Sequence, residues 1–241
     1  MKLSGRMRAV AGLVRVCGVL ADVGTDHGYV PIALVAEGKV RCAIAMDIKE
    51  GPLSRARKNI ADSRMEDRIK TRLSDGVSAL AAGEADSILI AGMGGRLVVH
   101  ILASGAAVCR SAEELILQPQ SDLRRVREYL RQNGYRIAEE DMVWEDGKYY
   151  PMLRALPGEA KTQKDPADPV ITAACDIYGP LLLAGKHPVL RRFLDERKRQ
   201  LAGVLDRLLR QPDSEAAAER IRQLGQELLY CETAQKILGE G

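Results

Sequence analysis

The chain has 241 residues, 46% of them apolar and 29% charged, which excludes a disordered tail, a collagen-like fibre and a disulfide-stapled miniprotein. A net charge of only +3 means that a nucleic-acid partner has to be met by a local patch rather than by global charge. A single Trp144 and a single Phe193 disfavour a binder that stacks many bases on exposed rings.

The first eight residues are basic and an apolar run follows, which mimics a secretory signal; Arg15 interrupts that run, so a helix with Met7, Val10, Ala11, Leu13 and Val14 inward is expected instead. Short apolar strand candidates then alternate with helix-period segments, the pattern of βαβ units and a mainly parallel sheet. The strands are expected at Val19–Val23, Arg41–Met46, Ile69–Leu73, Ser87–Ala91 and Leu115–Leu117. Helices are expected at Val30–Glu37, Pro52–Ser63, Arg96–Ala107 and Ser121–Asn133, with a short turn near Val77–Ala81. After Gly134 two strand-like runs, Arg136–Val143 and Tyr149–Leu156, flank Asp146-Gly147, which predicts an antiparallel hairpin. Residues 157–169 are rich in Pro and charge and read as a linker. Leucines at heptad spacing, Leu190 to Leu208, and a second set from Ile221 to Leu238 predict two antiparallel helices packed as a coiled-coil hairpin. The domain boundary is accordingly set between 1–158 and 159–241.

The chemistry concentrates at strand ends, where open α/β sheets bind ligands. The first strand runs into Asp22-Val23-Gly24-Thr25-Asp26-His27-Gly28. Gly24 permits a tight turn, and Asp26 stands where a dinucleotide fingerprint needs glycine; its carboxylate repels a pyrophosphate and favours a cationic or zwitterionic ligand. Asp47 ends the second strand about 20 residues on, where an acid can accept both ribose hydroxyls. Asp75-Gly76 follows the third strand, and Asp75 can accept an adenine amino group, although Asp-Gly is equally a good turn. The fourth strand leads into Ala91-Gly92-Met93-Gly94-Gly95, whose three glycines indicate close approach of backbone to ligand. Gln118 and Gln120, at the fifth strand's end, offer amides to a base edge or to loop backbone.

This series of strand-end acids with a terminal hairpin resembles the class I S-adenosylmethionine-dependent methyltransferases, a Rossmann-like α/β fold with a mostly parallel sheet. ADVGTDHGYVP at 21–31, DGVSAL at 75–80, IAGMGG at 90–95 and LILQPQ at 115–120, with the helical tail, resemble the bacterial TrmK family, which methylates N1 of adenosine 22 in transfer RNA. The resemblance implies S-adenosyl-L-methionine as cofactor, held by Asp22, Gly24, Asp47 and Ile48, by Asp75 and Gly76, and by Ala91, Gly92 and Met93. It also suggests that Arg6, in a Leu-Ser-x-Arg start, reaches the cofactor carboxylate. Asp47 departs from relatives that often carry Glu, and either carboxylate can bind ribose. The Asn/Asp-Pro-Pro-Tyr loop of amine methylation is absent.

Asp26 is the expected catalytic group, with His27 and Tyr29 beside it, although His27 as a helix cap and Tyr29 as packing account for those two equally well. Gly94, Gly95, Gln118 and Gln120 are assigned to substrate. Two basic regions can grip RNA: the N-terminal helix with Lys2, Arg6, Arg8 and Arg15, and the tail from Lys186 to Arg210 with Lys198 and Arg199, where a solvated helix face is the plain alternative. Five dispersed cysteines without a C-x-x-C pair predict a reduced, cytoplasmic compartment without structural zinc or other metal. No segment approaches the roughly 20 apolar residues of a membrane span, and a monomer is expected. An NAD-dependent oxidoreductase, disfavoured by Asp26, is one alternative; a methyltransferase of another substrate and a non-catalytic RNA-binding protein are the others.

Overall fold

The computed structural model describes residues 3–15, 17–158, 168–210 and 214–239. The chain divides into two compact units, Met1–Thr162 and Gln163–Gly241. Most of the expected linker, residues 159–167, lies outside the described residues, as do Lys2 and residues 211–213.

The first unit opens with α1 (Gly5–Leu13), then alternates β1 (Cys17–Val23), α2 (Tyr29–Ala36), β2 (Val40–Asp47), α3 (Glu50–Asp62), β3 (Ile69–Leu73) and β4 (Ser87–Met93). It continues through α4 (Gly95–Ser104), α5 (Ala106–Ser111), β5 (Glu114–Pro119) and α6 (Leu123–Gln132) to the strands β6 (Tyr135–Glu145) and β7 (Lys148–Pro157). The seven strands form one sheet in the order β3-β2-β1-β4-β5-β7-β6, parallel from β3 to β5, with β7 antiparallel to both its neighbours. The order reverses direction between β1 and β4, which opens a crevice at their carboxyl ends.

Burial explains the strands' near-continuous apolar runs: side chains alternate between two covered faces. Leu20 and Leu89 enter the core beneath α1, α2 and α3, whereas Ala21, Val23, Ile88 and Ile90 enter the core beneath α4, α5 and α6. The hairpin turns at Asp146 (φ 49°) and Gly147 (φ 75°), the paired left-handed conformations of a two-residue type I′ turn. Between α6 and β6 lies a fully buried ion pair, Arg127 Nε to Glu140 Oε1 at 2.8 Å.

Two expectations need correction. The single helix expected over Arg96–Ala107 is two, broken at Gly105. A Cβ at Gly105 would lie 2.0 Å from Val77 Cγ2, so the 75–80 turn presses against the chain where helix periodicity alone runs on. The second unit holds more than a hairpin: α7 (Pro169–Tyr178) and α8 (Pro180–Ala184) precede the long α9 (Pro188–Leu209) and α10 (Glu215–Gly239). Asp168 caps α7 by accepting from Val170 N at 2.7 Å, and Pro169 and Pro188 open their helices where no N–H is required. Leu190, Leu194 and Leu201 of α9 and Leu224, Cys231 and Leu238 of α10 are buried.

Candidate active site

At the carboxyl ends of β1 and β4 lies an open cavity of about 250 Å³. Its lining comes from three sources: Arg6, Met7 and Val10 of α1, the turn from Asp22 to Tyr29, and Ala91, Gly92 and Gln120 around the glycine loop. The backbone decides this shape. Gly24 adopts φ 75° and a Cβ there would lie 2.3 Å from the Met93 methyl, so the turn can run this close to the β4 loop only without a side chain. The turn is fastened to the sheet by Gly24 N and Thr25 N, both donating to Met46 O at 2.8 and 2.9 Å.

Asp22 is buried at the cavity floor and accepts a hydrogen bond from Thr25 Oγ1 at 2.6 Å. Burial pushes its carboxyl up to about 6, and the nearby Asp47 adds to that rise, while the Thr25 bond opposes it. A carboxylate in this condition gains most from a cation placed beside it. Across the cavity Arg6 supplies the opposite sign. Its Nη1 donates to Gln118 Oε1 at 2.9 Å, and its guanidinium lies 5.2 Å over the Tyr150 ring. Gln118 is fully buried and its Oε1 also accepts from Gly92 N at 3.2 Å. Of the two expected amides, Gln120 lines the cavity and Gln118 stands behind it, joining Arg6 to the glycine loop.

Asp26 sits in the left-handed region at φ 48°. Its Oδ1 accepts from Arg55 Nη2 of α3 at 2.5 Å, and its Oδ2 lies 3.4 Å from His27 Nε2. His27 does not cap α2, whose N-cap is Gly28; its ring stacks on Tyr29 with centroids 5.0 Å apart, and both residues line the cavity. Asp47 ends β2 beside Ile48, an isoleucine left exposed, and its Oδ1 accepts from Lys49 N at 2.9 Å. Asp75 lines a second, smaller cavity of about 120 Å³ with Ser78 and His100, and Gly76 packs on Ile101. Gly94 caps α4, and Gly95 is held by its N–H on Ser121 O at 3.1 Å.

The basic regions are partly consumed within their own units. Arg6 is engaged as above, Arg15 pairs with Glu139, and Arg8 is exposed. On α9, Lys198 Nζ lies 2.9 Å from Glu232 Oε1 and Arg199 Nε donates to Asp195 O. Thr25, Arg55 and Tyr150 were not singled out from the sequence, and Met7 and Val10 only as inward side chains of the first helix. Thr25 lay inside a recognised motif; the others reach the site from distant parts of the chain, a separation that carries no local signal.

The donor set suits a zwitterionic nucleoside ligand: a buried carboxylate against a cation, a guanidinium against a carboxylate, a strand-end acid for a ribose and an exposed isoleucine for the face of a base. Among the described residues no group of three or more His, Cys, Asp or Glu is placed to hold a metal ion, and no helix is long and apolar enough to cross a membrane.

A family model described as a methyltransferase domain matches residues 3–153. The tRNA (adenine(22)-N(1))-methyltransferase of Bacillus subtilis is 33% identical over 225 residues, 93% of each chain. The crystal structure of the B. subtilis tRNA methyltransferase TrmK superposes with a TM-score of 0.84 at 31% identity, covering 98% of this chain and 99% of that one. Streptococcus pneumoniae Sp1610, solved in complex with S-adenosyl-L-methionine, superposes with a TM-score of 0.82 at 30% identity over 98% of this chain and all of that one.

Proposed function

The chain belongs to the TrmK family of methyltransferase-domain proteins, and on that premise we propose that it transfers a methyl group from S-adenosyl-L-methionine to N1 of adenosine 22 in transfer RNA. The observation that carries this reading is the cavity itself, where the buried Asp22 carboxylate and the Arg6 guanidinium face one space beside the Gly24 turn. When bound, S-adenosyl-L-methionine supplies an electrophilic methyl group on a sulfonium sulfur. Asp22 and the Gly24 turn would hold its positively charged end, Arg6 its carboxylate, Asp47 its ribose, and Ile48 with Gly76 its adenine, to which Asp75 would have to turn from the smaller cavity that it lines. Ala91 and Gly92 line the same cavity as Asp22 and Arg6, and Met93 packs against the Gly24 turn beside it.

Adenine N1 carries an in-plane lone pair, so its alkylation needs alignment more than a strong base. The alkylated ring is cationic, and Asp26, fixed by Arg55, offers the carboxylate that stabilises this charge or takes up the N6 proton. Stacked His27 and Tyr29 border the same space and give a displaced base an apolar surface. The target adenosine has to leave the RNA stack, at a cost of a few kcal/mol, and Gly94 and Gln120 are proposed to border its entry, whereas Gly95 is buried with the Ser121 carbonyl against it and has no space for a base. Lys198 and Arg199 are proposed as contacts to RNA phosphates, and the protein works as a cytoplasmic, metal-independent monomer.

The test is transfer of labelled methyl groups to two transcripts of one tRNA that differ only at position 22, the position named for the B. subtilis relative. Incorporation into the adenosine form alone supports the reading; equal incorporation into a guanosine form moves the target elsewhere, and none into either overturns it.

A further inference from the structure

Arg6 reaches the cavity from the first turn of α1, so the placement of its guanidinium depends on how that helix begins. Helix N-termini expose unpaired N–H groups. Here they are met by a residue 139 positions away in sequence: Gly5 N donates to Glu145 Oε1 at 2.6 Å, and Arg6 N donates to Glu145 Oε2 at 3.2 Å. Both carboxylate oxygens are thus spent on the first two helical residues. The negative charge also complements the positive end of the helix dipole. These bonds, with a further one from the Ser4 hydroxyl, hold the Glu145 carboxyl below its usual range, the Arg6 N–H bond having the largest effect.

Residue 5 carries the mark of this contact. A Cβ there would lie 2.8 Å from Glu145 Oε1, so any side chain displaces the carboxylate. At the other end of α1, Lys39 Nζ donates to Ala11 O and Gly12 O at 2.7 and 3.1 Å. The helix is therefore held by an anion at its start and a cation at its end. From Glu145 a continuous path leads to the site: the carboxylate fixes the Arg6 backbone, Arg6 Nη1 donates to Gln118 Oε1, and the same oxygen accepts from Gly92 N.

We propose that Glu145, at the end of β6, is a positioning residue for the methyl-donor site, acting through the α1 N-terminus to aim Arg6 into the cavity. This rests on the reading of the cavity as an S-adenosyl-L-methionine site. Glu145 is not among the residues that line the cavity, so its influence passes through α1, and Arg6 is the charged group that α1 brings there.

That dependence makes the experiment a double-mutant cycle in the full chain, read by calorimetric binding of S-adenosylhomocysteine, with thermal melting as the check on folding. Glu145→Ala and Arg6→Ala each weaken binding by about tenfold, the scale of one charge-assisted contact. In the Arg6→Ala background, Glu145→Ala then adds little. Gly5→Ala, which pushes the carboxylate away without removing it, reproduces part of the loss, and Glu145→Gln restores part of it. A full Glu145→Ala effect persisting without Arg6, or unchanged binding with only a lowered melting temperature, overturns the assignment. Arg6→Ala without effect removes the premise for Arg6 and this inference with it; failure of the unsubstituted protein to bind overturns the cavity reading itself.

Discussion

Asp22 is held in a condition that costs the fold and serves the site. Its folded-state carboxyl lies at about 6 against an ordinary 3.8, so the unfolded chain gives up this proton first. Stability from this group is therefore complete below about pH 4 and is lost as pH rises to about 6, a cost of about 3 kcal/mol at neutral pH. Asp22→Asn removes that cost, and chemical denaturation at neutral pH should show a more stable protein that binds S-adenosyl-L-methionine more weakly. In the unsubstituted protein, affinity should rise with pH through about 6, because a cationic ligand favours the ionised form; a flat profile by calorimetry contradicts the role. Asp26→Ala, by contrast, should lower turnover by about a hundredfold or more while cofactor affinity holds, as the role proposed for its carboxylate at the base requires. Full turnover in this variant would return Asp26 to a structural role. Asp22 and Asp47 were legible in the sequence because each sits at the end of an apolar run and before a turn, and Asp75 because a glycine follows it. The partners that tune them were not: Arg55 reaches Asp26 across 29 positions, and nothing near either residue announces the pair.

At the level of elements, periodicity and turn chemistry located the strands within a few residues, and Asp146-Gly147 located the hairpin. What escaped is where tertiary contact overrides local pattern. Helix-favouring residues run through 96–111, yet the chain breaks at Gly105 because Val77 occupies the space a side chain would need. Heptad leucines marked α9 and α10, while α7 contains no leucine and α8 is only five residues long, so neither carries that pattern. The buried Arg127–Glu140 pair joining α6 to β6 was equally invisible, since neither residue differs in sequence from a surface charge. Removing one partner takes compensation from a buried charge, so Arg127→Met should destabilise by about 3 kcal/mol in urea unfolding, whereas replacing both partners with apolar residues should restore most of that stability. Equal destabilisation by the single and double variants would show that packing, and not charge, governs this junction.

For the whole molecule, the first unit supplies a cofactor crevice and the second a pair of long helices with many cations. Much of the α9 charge is already engaged on the helices, as in the Arg197–Glu227 and Lys198–Glu232 pairs. These pairs are half-buried, and in each a glutamate of α10 offsets a cation of α9. Replacing Lys198 and Arg199 with alanine should weaken tRNA binding and flatten its salt dependence by about one unit of slope for each phosphate no longer neutralised, with cofactor affinity unchanged. An unchanged slope would assign those residues to solvation alone. One chemical outcome is decisive for the molecule as a whole. Incubation of the protein with S-adenosyl-L-methionine and unmodified bacterial tRNA, followed by nucleoside digestion and mass spectrometry, should yield 1-methyladenosine that maps to position 22. A methyl group found on another atom or nucleotide, or none despite measurable cofactor binding, would contradict it.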